Sequence, residues 1–162
     1  MIKPFFSLLI ALGLLLTSCG KTLTYTDSLT SEELSEKALE TLHSTDFLSA
    51  DSSYLSDYID LSHLPRGTVF FAADGNNLDE FGIWHLPAEQ VGEVKNLLES
   101  YLSESLERNR SFYDSYIPEE TPKLRDAEVR VFGNYVAYAI LSEHDRARFF
   151  QVLKNELTPE KS

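Results

Sequence analysis

The sequence predicts an α+β domain: one antiparallel sheet built from two hairpins, packed on one face with a long central helix and with N- and C-terminal helices. Three observations lead there. Two pairs of β-rich runs are each joined by a turn signal, Asp74-Gly75-Asn76-Asn77 in the first and Gly133-Asn134 in the second. Between the pairs, apolar residues recur at helical spacing from Val91 to about Ser111. Shorter helical runs flank the pairs on either side, and hairpins separated by helices define this class.

The first helix opens at Thr30-Ser31-Glu32-Glu33, a capping box with Thr30 at the N-cap and Glu33 three residues on. Leu34, Ala38 and Leu42, with Leu39 alongside, give it an apolar stripe to about His43. A mixed segment follows, in which Asp51 to Tyr58 reads as a short helix carrying Tyr54, Leu55 and Tyr58. Leu64-Pro65-Arg66-Gly67 ends it and turns the chain.

Residues 68–73, TVFFAA, are β-branched and aromatic, and Glu80 to Leu86 form the return strand. Period-two alternation puts Phe81, Ile83 and His85 on one face and Gly82, Trp84 and Leu86 on the other. Pro87 suits the first turn of the long helix. Glu89 and Glu93 near its start, and Arg108 and Arg110 near its end, match the helix dipole. Glu104 and Arg108 add an i, i+4 pair. Tyr116-Ile117-Pro118 cannot continue that helix, and Thr121-Pro122 keeps the chain irregular. Glu128–Phe132 and Tyr135–Leu141 make the second hairpin, whose latter strand is apolar on both faces and therefore central or covered. Glu143 to Leu157 form the last helix, carrying Phe149, Phe150, Val152, Leu153 and Leu157.

The opening MIKPFFSLLIALGLLLTSCG carries one charge, Lys3, followed by an apolar run from Phe5 to Leu16. Such a run is about 18 Å long as a helix, short of the roughly 20 residues that span a membrane. It reads as the core of a secretory signal. Leu16-Thr17-Ser18-Cys19 resembles the bacterial lipobox. That resemblance implies diacylglyceryl transfer to the Cys19 thiol, cleavage before it, and a firm lipid anchor on the extracytoplasmic side of the cell membrane. The expected organisation is a signal peptide over 1–18, a lipidated terminus and short tether over 19–29, a single domain over 30–157 and a tail over 158–162.

The 162 residues hold 14 Lys+Arg and 26 Asp+Glu, a net charge of −12. Loss of Lys3 with the signal makes the mature chain one unit more acidic. Nucleic-acid partners are excluded on that ground, since such binding is driven by cationic side chains. The single cysteine excludes a disulfide framework and a cysteine-based zinc site.

Several segments together resemble a family of bacterial lipoproteins, the domain-of-unknown-function family 4358. Glu80-Phe81-Gly82-Ile83-Trp84 is similar to its Glu-led strand, and Val94-Lys95 falls in its long helix. Phe112 through Tyr116-Ile117-Pro118-Glu119 resembles its Phe…Tyr-x-Pro-Glu segment, and Gly133-Asn134-Tyr135-Val136 its final hairpin. His85 stands where members often carry Lys. The resemblance implies location and fold and leaves activity open.

No catalytic motif is present. No two of the seven glycines are spaced as a dinucleotide or phosphate loop requires, and there is no His-Glu-x-x-His and no Gly-x-Ser-x-Gly elbow. Asp74 to Glu80 is a poor calcium loop because Leu78 falls on its fifth, ligating position. No cofactor is expected. The segment holding Tyr113, Tyr116 and Pro118, with Trp84 on its strand, is the candidate partner or ligand surface. Against that stand two plainer roles: Tyr116 and Pro118 locking the helix exit onto the sheet, and Trp84 serving as core. The leading expectation is a membrane-anchored, non-catalytic binding or accessory module that meets an envelope protein or a small ligand. The alternatives are a cell-envelope hydrolase using an unrecognised carboxylate pair, and a small-ligand or cation binder exploiting the negative charge.

Overall fold

The computed structural model describes residues 24–42 and 45–159. Along them run α1 (Ser31–Leu39), β1 (Phe47–Asp51), β2 (Thr68–Ala72), β3 (Glu80–His85), α2 (Val91–Tyr116), α3 (Thr121–Arg125), β4 (Glu128–Phe132), β5 (Tyr135–Ile140) and α4 (Glu143–Leu157). The strands form one antiparallel sheet in the order β1-β2-β3-β5-β4. The architecture is α+β, with both expected hairpins in place.

Helices cover both faces of the sheet, where the sequence reading had placed them on one. On the first face α1 and α4 bury Leu34, Ala38, Phe149 and Leu153 against Phe81, Ile83 and Ala137. On the second, α2 and α3 bury Val94, Leu98, Tyr101 and Leu124 against Trp84, Val136 and Tyr138. The cause is visible in the strands themselves. All six residues of β5 and the first five of β3 are buried, and a strand apolar on both faces needs a layer on each.

β1 is a fifth strand where a mixed segment was expected. Its sequence, Phe-Leu-Ser-Ala-Asp, has little intrinsic β preference. It becomes a strand by pairing, with Ser49 opposite Phe70 on the edge of the sheet. The helix expected over Asp51–Tyr58 shrinks to a 3₁₀ turn over Ser52–Leu55, capped by the Asp51 side chain.

α1 starts as expected. Thr30 Oγ1 accepts from the Glu33 amide at 3.1 Å, and Glu33 Oε2 accepts from the Thr30 amide at 2.8 Å. It stops at Leu39, short of His43, because Thr41 folds both its amide and its hydroxyl onto the Ala38 carbonyl. α2 begins at Val91 after a turn from Pro87 to Gln90 and runs to Tyr116, past the expected end at Ser111. Pro118 forbids helical geometry only at Ile117, which has φ −142° and ψ 58°, so the helix continues to the residue before it. Arg108 and Arg110 therefore sit inside the helix, and Arg110 pairs with Asp114 at 3.5 Å. Thr121-Pro122, expected to be irregular, opens α3, where proline fits the first turn. In the β4–β5 turn Gly133 has φ +62°, the left-handed geometry of the first central position in a type II′ turn.

Part of the segment read as a tether lies on the domain. The Thr26 amide donates to the Leu157 carbonyl at 2.7 Å, and the Tyr135 hydroxyl donates to the Leu29 carbonyl at 2.6 Å. Asp27 pairs with His85 Nε2 at 2.5 Å and accepts from Asn134 Nδ2 at 3.1 Å. These contacts cluster at the end of the sheet formed by His85 and the β4–β5 turn.

Candidate functional site

A cavity of about 330 Å³ lies at the opposite end of the sheet, where the β2–β3 turn and the start of β3 face α2. Strand phase places Glu80 on the same face as Gly82 and Trp84, toward α2. The result is a carboxylic acid on a core-facing position, only 6% exposed. Close packing of that face depends on Gly82, because a Cβ there would come within 2.7 Å of the Trp84 ring and 2.9 Å of Tyr138.

Tyrosines enclose Glu80. Tyr101, on the buried stripe of α2, donates its hydroxyl to Glu80 Oε1 at 2.7 Å. Tyr138, opposite Gly82 on β5, donates to the same oxygen at 2.6 Å. Tyr54, carried by the 3₁₀ turn after β1, lines the same cavity. The Tyr54 ring stacks on Phe71 with centroids 4.8 Å apart. Tyr58 meets Tyr101 edge-on at 5.4 Å, and Tyr113 closes the wall.

Burial pushes the Glu80 carboxyl above the usual glutamate range, and it outweighs the tyrosine hydroxyls that face it, which pull the other way. The same burial, together with the nearby carboxyl, pushes the Tyr101 and Tyr138 hydroxyls up as well. They are therefore proton donors at neutral pH. The cavity thus has aromatic walls, the desolvated Glu80 carboxyl at its floor, Asp74 and Asp79 at its rim, and no Lys, Arg or His among its lining residues.

A second polar cluster fixes the rim. Lys123 of α3 reaches Asp79 Oδ1 at 2.8 Å, Glu120 Oε2 at 2.7 Å and Asn77 Oδ1 at 2.9 Å. Thr45 Oγ1 donates to Asp79 Oδ2, and Glu120 Oε2 accepts from the Leu78 amide at 2.8 Å. Burial opposes the Lys123 charge. The hydrogen bonds and charges of Asp79 and Glu120 outweigh it and hold the ammonium above its ordinary range. This network ties the β2–β3 turn to α3 and neutralises Asp79.

Of the residues singled out in the sequence, Tyr113 lies in the cavity wall, half-buried. Tyr116 does not join it: it is 73% exposed at the end of α2, against Phe112 at 4.8 Å. Pro118 is exposed and borders a separate shallow depression with Asp114 and Pro122. Ile117, not Tyr116 or Pro118, anchors the helix exit. Trp84 is core. It is 1% exposed, and its Nε1 donates to the Pro65 carbonyl at 3.1 Å. Cys19 lies outside the described residues. Sequence reading missed Glu80 and Tyr101 as a unit, although one signal was available: an acid in phase with Gly82 and Trp84, and a tyrosine on the apolar stripe of the long helix.

Among the described residues no group of three or more His, Cys, Asp or Glu side chains is placed to hold a metal ion, and no helix is long and apolar enough to cross a membrane. No protein-family model, curated protein or solved structure matches the chain.

Proposed function

We propose that the chain is a lipid-anchored, extracytoplasmic binding module whose ligand site is the cavity around Glu80. The carrying observation is the buried Glu80 carboxyl at the floor of an aromatic-walled cavity, the form small-ligand sites commonly take. A carboxylate-pair hydrolase is less well supported. It needs two carboxyls free to act on one bond, and here Asp79 is committed to Lys123 while Glu80 is held by tyrosines.

The anchor reading rests on the Cys19 motif, and it fits the placement of the docked segment. Thr26 is fastened to Leu157, seven positions after Cys19 in the sequence. Fastening occurs at the His85 end of β3, and the cavity lies at the Glu80 end. At ~3.4 Å per residue, the six residues of β3 separate the two by roughly 17 Å. A lipid on Cys19 thereby holds the domain through a segment fastened at the end of the sheet remote from the cavity.

The test is a thermal-shift screen of small polar and amphipathic compounds on the full chain in detergent. The control is Ala73→Trp, which plugs the exposed rim of the cavity. A ligand at one hundred times its Kd stabilises the native state by about 2.7 kcal/mol. Stabilising compounds that lose their effect in Ala73→Trp support the reading. Turnover of a cell-wall or peptide substrate, lost on Glu80→Gln, overturns it in favour of catalysis.

A further inference from the structure

We infer that the cavity around Glu80 takes a small organic ammonium, which pairs with the Glu80 carboxyl. The inference rests on the cavity being the ligand site and specifies what enters it. Three features select the class. With no Lys, Arg or His in the lining, an anion finds no partner. Tyr54, Tyr58 and Tyr113 line the cavity, and aromatic rings favour a cation carrying apolar substituents. A bare metal ion is disfavoured, because Asp79 at the rim is already paired with Lys123 and, among the described residues, no group of three or more His, Cys, Asp or Glu side chains is placed to hold one. At ~30 Å³ per water molecule, the cavity of about 330 Å³ has room for roughly ten heavy atoms.

The groups facing Glu80 come from every layer around it: Tyr54 from the 3₁₀ turn, Tyr101 from α2 and Tyr138 from β5, with Tyr58 and Tyr113 beyond them. All are neutral. Lys123, Glu120 and Asp79 form their own charge cluster at the rim, and Arg108 lies over the Tyr58 ring at 5.5 Å from its centroid. No cation neighbours the Glu80 carboxyl, so an incoming ammonium supplies the missing positive charge. Binding sets the ammonium against the carboxylate form of Glu80, so the fraction of Glu80 that carries a proton releases it to the buffer. The Tyr101 and Tyr138 hydroxyls stay in place as donors to Oε1, so the pair forms without loss of their bonds.

The experiment is calorimetric titration of the full chain in detergent with phenethylammonium, 2-phenylethanol and phenylacetate, which share one apolar group and differ in charge. It is run at several pH values and in two buffers of different ionisation enthalpy. Phenethylammonium is expected to bind at least about tenfold more tightly than the other two. Its affinity should fall as pH is lowered through the Glu80 titration, and its heat should differ between buffers in that range. Glu80→Gln, which preserves shape and an acceptor for the tyrosines, should remove both the ammonium preference and the buffer dependence. Equal or tighter binding of the alcohol or the carboxylate overturns the ammonium assignment and leaves the cavity as a site. Binding of none of the three at millimolar concentration, with no compound distinguishing Ala73→Trp from the parent chain, overturns the site itself.

Discussion

Tyr138 donates its hydroxyl hydrogen to Glu80 Oε1 across 2.6 Å, although the two residues stand 58 positions apart in the chain. That bond joins the second hairpin to the first on the face covered by α2, and Tyr101 adds a bond to the same oxygen from the helix. One acid is thus the meeting point of three elements brought together only by the complete fold.

Replacing that acid separates its structural role from its chemistry. Glu80→Leu leaves two buried hydroxyls without an acceptor, at about 1–3 kcal/mol each. Glu80→Gln keeps an oxygen for both and should match or exceed the parent chain at neutral pH. Urea unfolding monitored by circular dichroism distinguishes the two. Equal destabilisation by both substitutions would show that the hydroxyl network contributes little.

The pH dependence has a definite sign. Glu80 is raised in the folded state, so the neutral acid is favoured by folding. Its contribution to stability is full below the usual glutamate value of 4.5 and is lost as pH rises through the higher folded value. The parent chain should therefore lose stability across that interval relative to Glu80→Gln. Denaturant midpoints for both chains from about pH 4 to pH 9 check this. Parallel curves contradict a raised Glu80.

How far such a network was legible beforehand differs by element. The Thr30–Glu33 capping box, the Gly133 turn and the two-sided apolar character of β5 are local features, and the sequence displayed them directly. β1 was not, because its strand state comes from pairing with β2. The last turns of α2 were not either, since the apolar spacing that traces the helix gives out after Leu106. Glu80 lay between these cases. Its strand phase was readable, but the approach of Tyr54, Tyr101 and Tyr138 depends on how three separate elements pack, and no local pattern encodes that.

At the rim, Lys123→Met leaves the Asp79 carboxylate largely buried beside Thr45 and Asn77 without its cation. Breaking one side of such a pair costs about 3 kcal/mol. The double substitution Lys123→Met with Asp79→Asn should recover much of the loss. A double-mutant cycle by thermal unfolding measures the coupling, and additive single effects would dissolve the proposed tie between the β2–β3 turn and α3.

The anchor has its own test. The parent chain expressed in a bacterial host should incorporate labelled fatty acid, and Cys19→Ala should not. Equal labelling of both would overturn the proposed Cys19 anchor.

The most direct measurement of the central claim is the titration of the Glu80 side-chain carboxyl carbon by NMR, with and without saturating phenethylammonium. The account predicts a midpoint above 4.5 in the free protein and a marked downward displacement when the ammonium is bound. A midpoint at or below the ordinary value, unmoved by the ammonium, contradicts it.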